Sequence, residues 1–201
     1  MNDLFTPQLF GILSLATIFF GLAPYYVDII RGNTRPQRAA MFIFAGLSVI
    51  SFSGQLVEGA QASLFFAGAL LANQLILFAL ALKYGMGGFD KKDKIALLMA
   101  VFILVIWYFT KSAVVALLLT TLVNTIAKIL VTIKVYKYPH TELLYAWNMS
   151  VLASIFGALA VGKWDWVLLL VPVQNGITVG VIALTIFLRR SRVNMPKQDP
   201  N

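Results

Sequence analysis

The chain has 201 residues, 60% hydrophobic and 12% charged, and its Lys and Arg outnumber Asp and Glu by 16 to 8. Soluble domains average about 45–50% apolar and about 25% charged residues, and a globule of this size has too little interior to hide the excess. With a mean hydropathy of +0.84, the composition argues against a cytosolic enzyme, a disordered chain or a nucleic-acid-binding domain. It points to an integral membrane protein.

Cysteine is absent and His140 is the single histidine. That leaves no thiolate chemistry, and a zinc site needs about three or four ligands. No metal or cofactor is expected. The formal charge of +8 suits a membrane protein whose Lys and Arg gather in cytoplasmic loops.

A helix crosses the hydrocarbon core with about 20 mostly apolar residues. Seven such stretches follow one another, at about residues 8–31, 39–57, 62–83, 95–110, 112–135, 143–161 and 166–188. The start, Met1-Asn2-Asp3, lacks a basic region, so the first stretch is expected to be a retained helix and not a cleaved signal. The expected fold class is an all-α membrane protein with one transmembrane domain over 1–201. Within it, 1–92 forms a first three-helix repeat, 93–110 a linker helix, 111–190 a second three-helix repeat and 191–201 a tail.

Charge sets an orientation. Arg31, Arg35 and Arg38 follow the first stretch, and Lys83, Lys91, Lys92 and Lys94 follow the third. Lys134 and Lys137 follow the fifth, and Arg189, Arg190, Arg192 and Lys197 follow the seventh. Lys111 and Lys163 fall on the other side, and Lys128 lies inside the fifth stretch. This bias predicts an outside N-terminus and a cytoplasmic C-terminus in the cell membrane. Tyr136, Tyr138, Tyr145 and Trp147 at inner ends, and Trp107, Tyr108, Trp164 and Trp166 at outer ends, read as interfacial belts.

A shift of 103 residues lays Pro36 on Pro139, Gly54 on Gly157 and Gly59 on Gly162. Asn73 and Asn175 then fall at nearly matching depth, and Lys128 falls on Tyr25. Both triplets begin outside, so the repeats are parallel. Parallel repeats place a site at the midplane between them.

In this 3 + 1 + 3 order the chain resembles the SWEET transporters and the wider PQ-loop group. Pro24-Tyr25-Tyr26-Val27-Asp28-Ile29-Ile30-Arg31 resembles the SWEET first helix, and Pro172-Val173-Gln174-Asn175-Gly176 its Pro-Asn-Gly segment with two residues inserted. The resemblance implies substrate-binding roles for Asn73 and Asn175 and a polar contact at Gln55. Ala158 replaces an aromatic of the plant-type members, Ala127 stands where the first helix has Pro24, and Pro36-Gln37 lies in a loop. A general likeness to bacterial seven-helix proteins with an Arg-Gly-x-Thr-x-Pro loop, here Arg31 to Pro36, carries no activity.

Polar groups inside the membrane are costly, so each is a candidate site. Asn73, Gln74, Gln174 and Asn175 form the strongest set. Amides both donate and accept, and they also tie helices together. Adjacent helical residues point about 100° apart, so one member of each pair is expected to face the cavity. Asn124 and Asn148 read as structural. Lys128 reaches the interface by snorkelling or pairs with Asp28 as an inner gate, with Pro24 as hinge. Glu58 reads as a turn residue, and Gly176 with Gly180 as a packing seam.

These features predict a transporter of a small polar solute, among them a sugar, by alternating access in the lipid bilayer. No nucleic-acid partner is expected, and an oligomer is left open. The alternatives are a receptor or sorting protein on the same scaffold, and a carrier of a vitamin-like or nucleoside-like solute. A membrane enzyme would need a clustered acid, base or metal, and none is visible.

Overall fold

The computed structural model describes residues 6–32, 36, 38–85, 98, 101–102, 105–106, 109–110, 112–137, 139 and 142–190, without the side chains of 39, 40, 130 and 134. Every regular element among them is helical apart from a short turn at Pro139. The helices are α1 (Pro7–Ile30), α2 (Arg38–Val57), α3 (Leu64–Tyr84), α4 (Ala113–Lys137), α5 (Leu144–Leu159) and α6 (Trp166–Arg190). They match six of the seven apolar stretches. Most of the stretch at 95–110 lies outside the described residues; Leu98, Val101, Phe102, Val105, Ile106, Phe109 and Thr110 are helical.

Local chemistry starts the helices where it should. The Thr6 hydroxyl accepts from the Leu9 backbone N–H at 3.3 Å, and Pro7 occupies the first turn, where its missing N–H costs nothing. Before α6, the Asp165 carboxylate accepts from the N–H groups of Val167 and Leu168 at 3.2 and 3.3 Å. These bonds and Lys163 at 3.2 Å hold its carboxyl below the usual carboxylate range.

Four helices, α1, α3, α4 and α6, are long and apolar enough to cross a membrane. The apolar run of α2 spans Met41–Val57 and α5 has 16 residues, so both are shorter. Large apolar side chains cover the outside: Phe20 is 76% exposed and Phe187 65%. In water such a surface would aggregate; in a bilayer it is solvated by acyl chains.

The helices pack as a closed ring. α1 touches α3 and α5, α2 touches α3 and α4, and α6 touches α4 and α5. Exchanging α1 with α4, α2 with α5 and α3 with α6 leaves these six neighbour relations unchanged; a lighter contact of α3 with α5 falls outside the pattern. The connections repeat as well. Gly59 and Gly162 take positive φ of +76° and +69°, a backbone region that disfavours side chains with a Cβ. Pro36 and Pro139 are both buried in the loops before α2 and α5. Arg38 donates to the Ala81 carbonyl at 3.2 Å, and Arg190 to the carbonyls of Pro139 and Glu142 at 3.3 and 2.6 Å. In each triplet an arginine therefore ties the end of the third helix to the start of the second.

Three apolar clusters hold the ring. Ile18, Phe66, Ala69, Leu117, Ala153, Val167 and Val171 join five helices near the starts of α3, α4 and α6. Ile43, Leu47, Ile50 and Ala116 seal α2 on α4. Val135, Ile182 and Ile186 join α4 and α6 near their ends. Gly176 lies where a Cβ would sit 3.2 Å from Ser154, which fits the packing seam expected between α6 and its neighbour.

Candidate functional site

Inside the ring lies a cavity of about 90 Å³. Each wall follows helical spacing. Ser48, Ser51 and Gln55 come from α2, Ala67, Leu70 and Gln74 from α3, Asn124 and Lys128 from α4, and Val171, Gln174 and Asn175 from α6. Residues three, four or seven apart share one helix face, so four faces converge here. Leu70 and Val171 belong also to the first apolar cluster, which adjoins the cavity.

The structure brings together Gln55, Gln74, Gln174 and Asn175 on these walls. Asn73 is not among the lining residues. It is 5% exposed, and its Oδ1 accepts from the Tyr26 hydroxyl at 2.6 Å. The expectation of Asn73 facing Asn175 is thus replaced by Gln74 on the α3 wall. On α6, Gln174 and Asn175 both reach the lining.

Lys128 lines the cavity and donates to Asn175 Oδ1. Its ammonium is turned inward and not toward headgroups. The Asn175 amide nitrogen donates to Ser154 Oγ at 2.8 Å, and that hydroxyl donates to the Ser150 carbonyl at 2.7 Å. This chain orients the Asn175 amide so that its oxygen meets the lysine. The gate pairing of Lys128 with Asp28 is replaced by the contact to Asn175, and neither Asp28 nor Pro24 lines the cavity. Asp28 is half-buried and Pro24 exposed on α1.

The two asparagine contacts are counterparts. Tyr26 stands 47 residues before Asn73, and Lys128 47 residues before Asn175. The register between these helices is therefore 102 residues, which pairs Lys128 with Tyr26 and not with Tyr25. A tyrosine hydroxyl in one triplet is matched by an ammonium in the other, so the charge of the cavity is one-sided.

Hydrogen bonding is incomplete at one wall. Gln55 is fully buried, and neither its amide nitrogen nor its oxygen has a partner; Gln74 Oε1 has none either. Gln174 donates to Thr125 Oγ1 at 2.8 Å, and Asn124 to the Thr120 carbonyl at 3.0 Å. Buried amides left open are rare, and each asks for a ligand or water.

Sequence reasoning gave no site role to Ser48, Ser51, Ser154 or Tyr26. The signal for the α2 wall was present: Ser48, Ser51 and Gln55 form a polar stripe on a helix that, Arg38 and Ser53 aside, is apolar. Tyr26 and Ser154 carry no such signal, because their roles depend on which asparagine they meet. A larger concavity, about 320 Å³, lies between α5 and α6 beside Asn148, Leu184 and Phe187. Its exposed apolar rim marks a lipid-facing groove, and Asn148 itself is exposed. Among the described residues no group of acidic or histidine side chains could hold a metal.

No protein-family model, no curated protein and no solved structure matches this chain.

Proposed function

We propose that this chain is a multi-pass transporter of the SWEET and PQ-loop type that moves a small polar solute by alternating access. In this reading seven helices stand in a 3 + 1 + 3 order, with the N-terminus outside and the C-terminus in the cytoplasm. Residues 93–110 supply the linker helix that lets two parallel triplets share one cavity. The observation that carries the reading is the cavity itself. It is lined by both triplets, carries polar side chains inside an apolar ring, and holds a fully buried glutamine with neither amide atom partnered. A purely structural amide would be bonded to a neighbouring helix, as Asn73 is to Tyr26.

The six main helix contacts, unchanged under exchange of the triplets, support rocking of one against the other about the cavity. The apolar cluster of Phe66, Leu117 and Val167 adjoins the site on the side where α3, α4 and α6 begin, which suits an outer gate. The test is uptake by proteoliposomes across polyols, sugars, organic acids, amino acids and nucleosides. Uptake above protein-free vesicles that Gln55→Leu abolishes supports the reading. A folded protein that moves none of these solutes overturns it in favour of a receptor or sorting role.

A further inference from the structure

We propose that the ligand of this cavity is a small hydroxycarboxylate anion, its carboxylate held by Lys128 and its hydroxyl by Gln55 or Gln74. This deepens the transport reading and rests on it for the idea that the cavity takes a solute. Four observations lead to it.

First, the cavity carries a cation and no anion. Among the described residues Lys128 is its one charged lining residue. Asp28 is the sole carboxylate within any of the six helices, and it is not in the lining. An ammonium has three N–H donors, and the contact to Asn175 uses one. Surrounded by neutral side chains in a low-dielectric interior, it favours a ligand of opposite charge.

Second, the open hydrogen-bonding atoms are of both kinds. Gln55 offers a free donor and a free acceptor, and Gln74 a free acceptor. Because both ends of Gln55 are open, this holds whichever way its amide is turned. A ligand that satisfies the wall must accept and also donate. A carboxylate accepts from Lys128 and from the Gln55 amide nitrogen, and a hydroxyl donates to a glutamine oxygen.

Third, size limits the ligand. About 90 Å³ takes several waters, at about 10–15 Å³ of such space for each. This leaves room for a short-chain acid.

Fourth, the other small solutes leave a group unmatched. Glycerol leaves the ammonium without a counter-charge. An amino acid brings an ammonium of its own beside Lys128. Chloride or acetate leaves the glutamine oxygens without a donor, the kind of loss to which a hydrogen-bonding site is most sensitive.

The experiment uses the full-length purified protein, first in detergent and then in proteoliposomes. Binding is measured for sodium lactate, glycolate, acetate and chloride, and for glycerol and glycine. Lactate or glycolate is expected to bind at least about tenfold tighter than acetate, the size of one lost hydrogen bond of about 1.4 kcal/mol. Glycerol, glycine and chloride are expected to bind more weakly still. In Lys128→Gln, lactate affinity is expected to fall about tenfold or more. Should that variant fail to fold, the wild-type ligand series decides alone. The proposal is overturned if a neutral solute binds and lactate does not compete with it. It is overturned equally if none of the acids binds, or if folded Lys128→Gln binds lactate as the wild type does. Lactate binding without uptake would sink the transport reading and leave this one standing; uptake of a neutral solute with no acid binding would do the reverse.

Discussion

At Gln55 a single buried side chain costs stability. Its amide is fully buried and unpartnered at both ends, a condition that costs about 1–3 kcal/mol. Gln55→Leu keeps the approximate volume and removes the open groups. It is expected to raise the melting temperature in detergent while abolishing uptake; a lower melting temperature would show that the amide is satisfied in the working protein. Tyr26 and Asn73 give the opposite case. Tyr26→Phe removes their hydrogen bond and leaves the Asn73 oxygen open. In membrane proteins such contacts average about 0.6 kcal/mol, with a maximum of about 1.7. A loss in that range, read from reversible unfolding in mixed micelles, is expected with the ligand affinity of the cavity unchanged. Asn175 carries the corresponding contact in the other triplet, where its partner is charged.

At the scale of elements, α1 and α5 approach so closely that a Cβ at Gly21 would lie 2.4 Å from the Cβ of Met149. Such an approach cannot be relieved by a rotamer change alone. Gly21→Ala is expected to force the helices apart and cost about 1–3 kcal/mol, seen as a lower thermal midpoint. The start of α6 responds to pH through Asp165. Its carboxyl titrates below the ordinary value of 3.8, first because of the Leu168 N–H and then because of Lys163. A carboxylate with a lowered folded pKa stabilises the fold above the unfolded value, and that contribution fades as pH falls through the folded one. Asp165→Asn keeps an acceptor at the cap and removes the charge. It is expected to lower the melting temperature at neutral pH and to match the wild type in strong acid. An undiminished difference in acid would assign the effect to packing.

For the whole molecule, the proposed orientation can be read directly because the chain has no cysteine. Single cysteines placed at Glu58 and Lys163 are expected to react with an impermeant maleimide in intact cells. One placed at Asp90 is expected to react only after lysis. Labelling of the Asp90 site from outside would refute both the orientation and the parallel arrangement of triplets. The ring of six helices also bears on motion. Each triplet is internally tied by an arginine at the loop before its second helix, whereas the triplets meet along α1 with α5, α2 with α4 and, more lightly, α3 with α5. Relative movement is therefore expected at those seams.

The sequence by itself determined the membrane class, the six described helices to within a few residues, and the intramembrane amides Asn73, Gln74, Gln174 and Asn175 as costly groups. These follow from quantities carried locally by the chain: apolar run length, the cost of an amide in hydrocarbon, and glycines at turns. It also held the marks of an internal repeat in Pro36 with Pro139 and Gly59 with Gly162. What only the tertiary structure decided was which neighbour each polar group meets. Asn73 turned to Tyr26, Gln74 took the cavity wall, and Lys128 chose Asn175 in place of Asp28 or the headgroups. A register change of one residue rotates a side chain by about 100° around its helix, so a repeat aligned at 103 in place of 102 names the wrong partner. Facing directions at that precision come from how the helices pack against one another, and no local pattern in the chain encodes them.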